Sequence, residues 1–277
     1  MNTRLWSLFE AFIFYLGYLA SGLIARLGLL LFHATRLAIE NQQNHALFDS
    51  QVFFNDVILA VESRPMLIVL LANLTVVLLY AIIIHARGEQ VGRYIAFGPV
   101  PMRNMIGAVG AGIGFRYIFS ILLALILRGS ETLQSYNTHM TQMMNDDTWL
   151  ILLAVVIAAP IVEEIIFRGV LFRALERSFH KGIAIIVPSI LFALAHTDPV
   201  QMVYAFFLGL LFAFVRAKSG KLLPCILMHF AFNGANFLQL WDQPSFIPPL
   251  WLVLVLTCAC YIMALYKKSN FSKSELH

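Results

Sequence analysis

Long apolar runs alternate with short polar segments along the whole chain. Runs near residues 8–32, 66–85, 104–127, 149–172, 182–196, 200–216, 222–240 and 248–266 are almost free of charge. Most approach the length of about 20 residues that a helix needs to cross roughly 30 Å of hydrocarbon. In lipid a helix satisfies its own backbone polar groups, so the pattern predicts an all-α, polytopic membrane bundle of about eight transmembrane helices. The first run is too long for the apolar core of a signal peptide and is expected to remain as an anchor. Three regions are expected: an N-terminal part at 1–148 with three spans, a core at 149–240, and a last span with a polar tail at 241–277. The connections at 33–65 and 128–148 have room for short surface helices but too little apolar content for a second domain.

Composition agrees with this pattern. Of 277 residues, 60% are hydrophobic and 12% charged, against roughly a quarter charged in an ordinary soluble domain. The formal charge is +4, and the basic residues sit at span ends, not on one continuous surface, so no nucleic-acid partner is implied. Arg4, Arg87/Arg93/Arg103, Arg173/Arg177/Lys181, Arg216/Lys218/Lys221 and Lys267/Lys268/Lys273 fall on alternate connections. Glu40, Asp49, Asp56, Glu62, Glu131, Asp146, Asp147, Asp198 and Asp242 occupy the others. Basic flanks stay cytoplasmic, which predicts a multi-pass protein with both termini in the cytoplasm. Cys225, Cys258 and Cys260 lie in apolar segments without zinc-knuckle or disulfide-framework spacing and read as packing residues. Gly110 and Gly114 in the third span have the small-xxx-small spacing that lets helices approach closely.

The chemistry is concentrated in the fourth, fifth and seventh spans. Ionised carboxylates are costly in hydrocarbon, and Glu163 and Glu164 stand side by side with Arg168 in one span. Glu164 and Arg168 are four residues apart and share a helix face, so the arginine can neutralise and orient that glutamate. Glu163 points about 100° away and is left for another role, that of a general base. His196 ends the short fifth span, and His229 and Asn233 share a face of the seventh. From the cytoplasmic flanks, Glu163 and His229 lie about 15 and 12 Å deep at 1.5 Å per residue. His196 lies about 22 Å from its flank on the same count, so tilt or a kink at Pro188 is needed to bring it level. The Thr197-Asp198-Pro199 turn at membrane depth implies a covering cavity or vestibule. Arg116 reads either as a counter-charge to the glutamates or as a snorkelling side chain, and Glu10 and Arg26 read as interfacial.

Glu163-Glu164-Ile165-Ile166-Phe167-Arg168 resembles the Glu-Glu-x-x-x-Arg motif of the CPBP intramembrane proteases, the group that contains CAAX prenyl endopeptidases and bacteriocin-processing or immunity proteins. Phe192 to His196 resembles their Phe-x-x-x-His motif, and His229 to Asn233 their His-x-x-x-Asn motif. The three occur in the family's order, and the resemblance covers about residues 149–240. It implies an intramembrane endopeptidase with 149–240 as its catalytic core, acting on a membrane-associated protein or peptide within the bilayer. Glu163 would activate water with help from His196. Glu164 and Arg168 would support it, and His229 and Asn233 would stabilise the oxyanion. Glu163, His196 and His229 also make a three-ligand set for zinc or another divalent metal, so metal-dependent and metal-free readings stand side by side. Two other classes use the same residues: a proton- or ion-coupled transporter, and a non-catalytic membrane scaffold or immunity protein.

Overall fold

The computed structural model describes residues 3–43, 49–238 and Tyr261. Among these, helices follow one another without a strand: α1 (Thr3–Gln43), α2 (Ser50–Glu62), α3 (Pro65–Ala86), α4 (Val91–Tyr94), α5 (Met102–Ile126), α6 (Glu131–Met143), α7 (Thr148–Glu176), α8 (Lys181–Leu194), α9 (Pro199–Ser219) and α10 (Leu223–Gly234). The all-α membrane bundle is as the sequence predicts. By length and composition α1, α3, α5, α7 and α9 can each cross a membrane. Helix α8 has 14 residues, about 21 Å, and α10 has 12, about 18 Å; each falls short of a full crossing. Apart from Tyr261, the eighth predicted span at 248–266 lies outside the described residues, as do Cys258 and Cys260.

Two features depart from the sequence reading. Helix α1 does not stop near Phe32 but continues to Gln43, 41 residues in all. No Gly or Pro interrupts it after Gly28, and Arg36 Nε pairs with Glu40 Oε1 one turn on at 2.8 Å, a spacing that supports a helix. The second departure is Glu10, which is only 2% exposed. Its Oε1 accepts hydrogen bonds from Arg87 Nη1 and the Tyr94 hydroxyl, each at 2.7 Å, and its other oxygen pairs with Arg177. Glu10 is therefore a buried junction joining α1, the end of α3, α4 and the end of α7. Burial, and then the Glu10 carboxylate, hold the Tyr94 hydroxyl well above its usual titration range, so it stays a donor.

The glycines of α5 also matter to packing. Gly112, in the same run as Gly110 and Gly114, is buried where α5 packs on α10. A Cβ at Gly112 would overlap the Met228 carbonyl oxygen, and Ala231 Cβ is 3.0 Å away. The two helices come this close because α5 has no side chain at 112 and α10 presents a backbone carbonyl and an alanine methyl. Since α10 carries His229, this contact also fixes where the histidine sits.

Helix α7 is not uniform. Leu152–Ala158 and Ile165–Leu171 are π-helical, and Ala159–Glu164 between them is α-helical. In the first π segment Ala159 N–H reaches back to the Ala154 carbonyl. The next donor in that register belongs to Pro160, which has no N–H, so the Val155 carbonyl needs a partner from elsewhere. The Asn233 side chain of α10 supplies it, donating from Nδ2 at 2.8 Å. One proline thus creates the vacancy that ties α10 to α7.

Arg168 fastens α7 to its other neighbours. Its guanidinium is fully buried, donates from Nη1 to Glu164 Oε1 at 2.9 Å and from Nη2 to the Gly209 carbonyl of α9 at 3.0 Å. The rings of Phe192 and Phe212 lie 4.7 and 5.3 Å from its Cζ. Gly209 is needed for this arrangement, because a Cβ there would stand 3.0 Å from Ser189 and 3.3 Å from Arg168 Nη2. Arg216 donates in turn to the Arg168 carbonyl at 3.2 Å.

Two stability predictions follow from this packing. Arg168→Leu leaves the Glu164 charge buried without its main partner, an effect of about 3–5 kcal/mol. Arg168→Lys is also expected to destabilise, because an ammonium lacks the planar fork that reaches both acceptors. Gly112→Ala forces α5 and α10 apart and is expected to cost about 1–3 kcal/mol. Thermal unfolding of the detergent-purified variants measures both; unfolding temperatures equal to wild type would contradict the packing described.

Candidate active site

A cavity of about 750 Å³ opens between α1, α3, α5, α6, α7, α8, α9 and α10. Glu163, His196, His229 and Asn233 all line it, whereas Glu164 and Arg168 stand behind its wall with side chains of 0% exposure. The 100° step between adjacent helical residues produces this division. Glu164 turns into the protein, and the Glu163 side chain stays 15% exposed at the cavity.

His229 lies between the two carboxylates. Its Nδ1 is 3.0 Å from Glu164 Oε1, and its Nε2 is 3.7 Å from Glu163 Oε2. A carboxylate beside an imidazole can only accept, so Nδ1–H donates to Glu164 and fixes the ring. The separation from Glu163 is wider than a direct hydrogen bond. The ring stacks on Phe212 with centroids 5.0 Å apart and meets Phe192 edge-on at 5.9 Å. Glu164 therefore orients the histidine that faces Glu163.

His196 follows the end of α8 and lines the same cavity as Glu163 and His229. Its Nδ1 is 2.8 Å from the Phe192 carbonyl. That oxygen can only accept, so Nδ1 carries a proton, and in the neutral ring Nε2 keeps its lone pair. Phe192 meets both imidazoles, 4.9 Å from His196 and 5.9 Å from His229, and spaces the two histidines. Glu163, His196 and His229 thus share one cavity.

The remaining residues have other immediate partners. The Asn233 carboxamide borders the cavity, yet its Nδ2 donates to the Val155 carbonyl, so in this state it joins two helices. Glu164 Oε1 takes both Arg168 and His229. Arg116, whose role the sequence left open, lines the cavity with its guanidinium 5.6 Å from the Phe232 ring. As placed, the predicted metal ligands do not form a three-donor set: among the described residues no group of three or more His, Cys, Asp or Glu side chains converges to hold a metal.

Two cavity residues escape the motif-based reading. Tyr18 comes from α1 and Asn73 from α3. Tyr18 is one aromatic among many and carries no distinguishing sequence signal. Asn73 does carry one: it is a lone carboxamide in the run Leu70-Leu71-Ala72-Asn73-Leu74, and polar residues inside a span mark functional or packing positions.

Comparison with known proteins agrees with the motif pattern. Residues 145–235 match the family described as "Type II CAAX prenyl endopeptidase Rce1-like". The chain is 27% identical over 146 residues to an Escherichia coli protein described as "Uncharacterized 24.3 kDa protein", covering 50% of this chain and 66% of the relative. It is 32% identical over 77 residues to "Putative membrane peptidase YdiL" of Bacillus subtilis (strain 168), covering 28% of this chain and 32% of the relative. Under two thirds of either relative is therefore spanned. No solved structure matches the chain. The matched residues 145–235 hold all six polar groups assembled above, so the likeness to the Rce1-like type II CAAX prenyl endopeptidase family falls on the site itself, within an integral membrane helical bundle.

Proposed function

We propose that the chain is an intramembrane endopeptidase that hydrolyses a peptide bond of a membrane-associated protein or peptide with water activated by Glu163. The observation that carries this reading is the His229 imidazole, anchored by buried Glu164 and facing Glu163 at the cavity. An orienting carboxylate, a fixed imidazole and a second carboxylate beside open space make a recurrent proton-handling arrangement.

The substrate carbonyl enters the cavity, and a water held between Glu163 and His196 Nε2 attacks its carbon. Glu163 takes the water's proton and passes it to the departing amine as the C–N bond breaks. One product gains a carboxylate, and the other leaves as an amine. His229, locked by Glu164 through its Nδ1–H, donates to the developing oxyanion from Nε2 when the ring carries its second proton, and preorganised donors of this kind contribute strongly to acyl transfer. Asn233 acts as a positioning residue through Val155. No step needs a covalent enzyme intermediate or a metal. The basic flanks support both termini being cytoplasmic. The likeness to a family of CAAX prenyl endopeptidases supports testing prenylated substrates first.

Purified protein in liposomes, given a panel of fluorescence-quenched peptides with and without a farnesylated cysteine near the C-terminus, provides the test. Glu163→Gln is expected to lower kcat by about 10²–10⁴-fold, and His196→Ala to lower it in the same direction. Both variants should insert into membranes and unfold at wild-type temperatures. Undiminished cleavage by Glu163→Gln would remove the glutamate from the mechanism. In the same assay a strong divalent-metal chelator is expected to leave the rate unchanged; activity lost to chelation and restored by zinc would replace the metal-free step.

A further inference from the structure

Helix α3 lies outside the segment matched to the family, yet it walls the cavity. Met66, Val69 and Asn73 line it at spacings of three and four residues, which places them on one face of the helix. The same stripe continues into the core through Val76 and Tyr80, so Asn73 faces the bundle and not lipid. Helix α3 packs on the part of α7 that runs through Glu163.

Asn73 is 7% exposed, and its Nδ2 has no hydrogen-bond partner among the described residues. A carboxamide inside a membrane bundle ordinarily bonds to a neighbouring helix. Asn233 does so through Val155, and Asn73 does not. A buried donor left unpaired weakens the folded state, so packing alone gives no reason for an amide here, and Leu would fill the space. A half-turn of the side-chain amide exchanges Nδ2 and Oδ1 and can present the donor to the cavity.

From this placement we infer that Asn73 is a substrate-touching residue of the peptidase: its N–H donates to the carbonyl oxygen of the bound peptide bond and strengthens as that oxygen becomes an oxyanion. The inference rests on the peptidase reading above. It fills the place left by Asn233, whose donor is taken by the backbone. The step makes and breaks no covalent bond and moves no proton. It makes α3 a contributor to the chemistry and not only a wall.

Asn73→Leu and Asn73→Ala, assayed in liposomes with whichever panel peptide wild type cleaves and Glu163→Gln does not, test this directly. Loss of a transition-state donor lowers kcat by about 10²–10³-fold with little change in KM. The unfolding temperature of Asn73→Leu is expected to equal or exceed that of wild type, because no native hydrogen bond is lost. A merely structural asparagine would instead lower the unfolding temperature and the rate together in both variants, and that result overturns the inference. So does a kcat close to wild type in either variant while Glu163→Gln is inactive, which leaves the peptidase reading standing. Wild-type protein silent across the panel removes that reading and this inference together.

Discussion

A carboxylate with no exposed surface, inside a bundle immersed in hydrocarbon, governs this structure. Glu164 at 0% exposure is tolerable only if charge and hydrogen bonds meet it from inside the protein. Arg168, one turn along α7, supplies the charge, and His229 from α10 supplies the second donor. Arg168 then has to be accommodated in turn. It needs aromatic faces, a carbonyl acceptor on α9 and a glycine at 209 that leaves it room. Four elements are thus positioned by the need to satisfy one buried charge.

The irregularity of α7 belongs to the same arrangement. Adjacent glutamates must serve opposite directions, one toward the interior and one toward the cavity, and the 100° helical step provides that. The π-helical stretches on either side widen the helix, and Pro160 removes a donor in the register they set. Asn233 enters through that gap. Helix irregularities of this kind occur often at functional sites, and here the consequence is concrete: a vacant carbonyl acceptor fixes the helix that carries His229.

Much of this was legible in the sequence, where the information is local. Apolar runs mark the helices, and the i,i+4 relation of Glu164 and Arg168 makes their pairing readable. The shortness of the fifth run announces an opening near His196. What could not be read depends on partners far along the chain. Glu10 near a span end reads as interfacial until Arg87, Tyr94 and Arg177, at separations of 77 to 167 residues, converge on it. The spacing of Gly110 and Gly114 marks α5 as a close-packing helix, but that α10 approaches it at Gly112 is visible only in coordinates. The pair His229 and Asn233 marks a polar face, yet only coordinates reveal that the two side chains go to different partners.

The motif residues and the cavity walls come from different parts of the chain. Glu163, Glu164, Arg168, His196 and His229 all lie within 145–235, whereas Arg116 of α5 reaches the cavity from outside it. Tyr18 of α1, Asn73 of α3 and Met140 of α6 face the same space from outside that segment. Buried charges constrain one another closely, so Glu164, Arg168, Gly209 and His229 cannot be altered singly without leaving an unmet group. Wall residues carry no such mutual obligation, and an apolar wall can exchange one side chain for another of similar volume at small cost. The fold thus separates a rigid polar centre from a changeable lining. Asn73 stands apart on the wall as a buried carboxamide whose donor has no partner among the described residues. Its identity is set by what enters the cavity, not by what surrounds it.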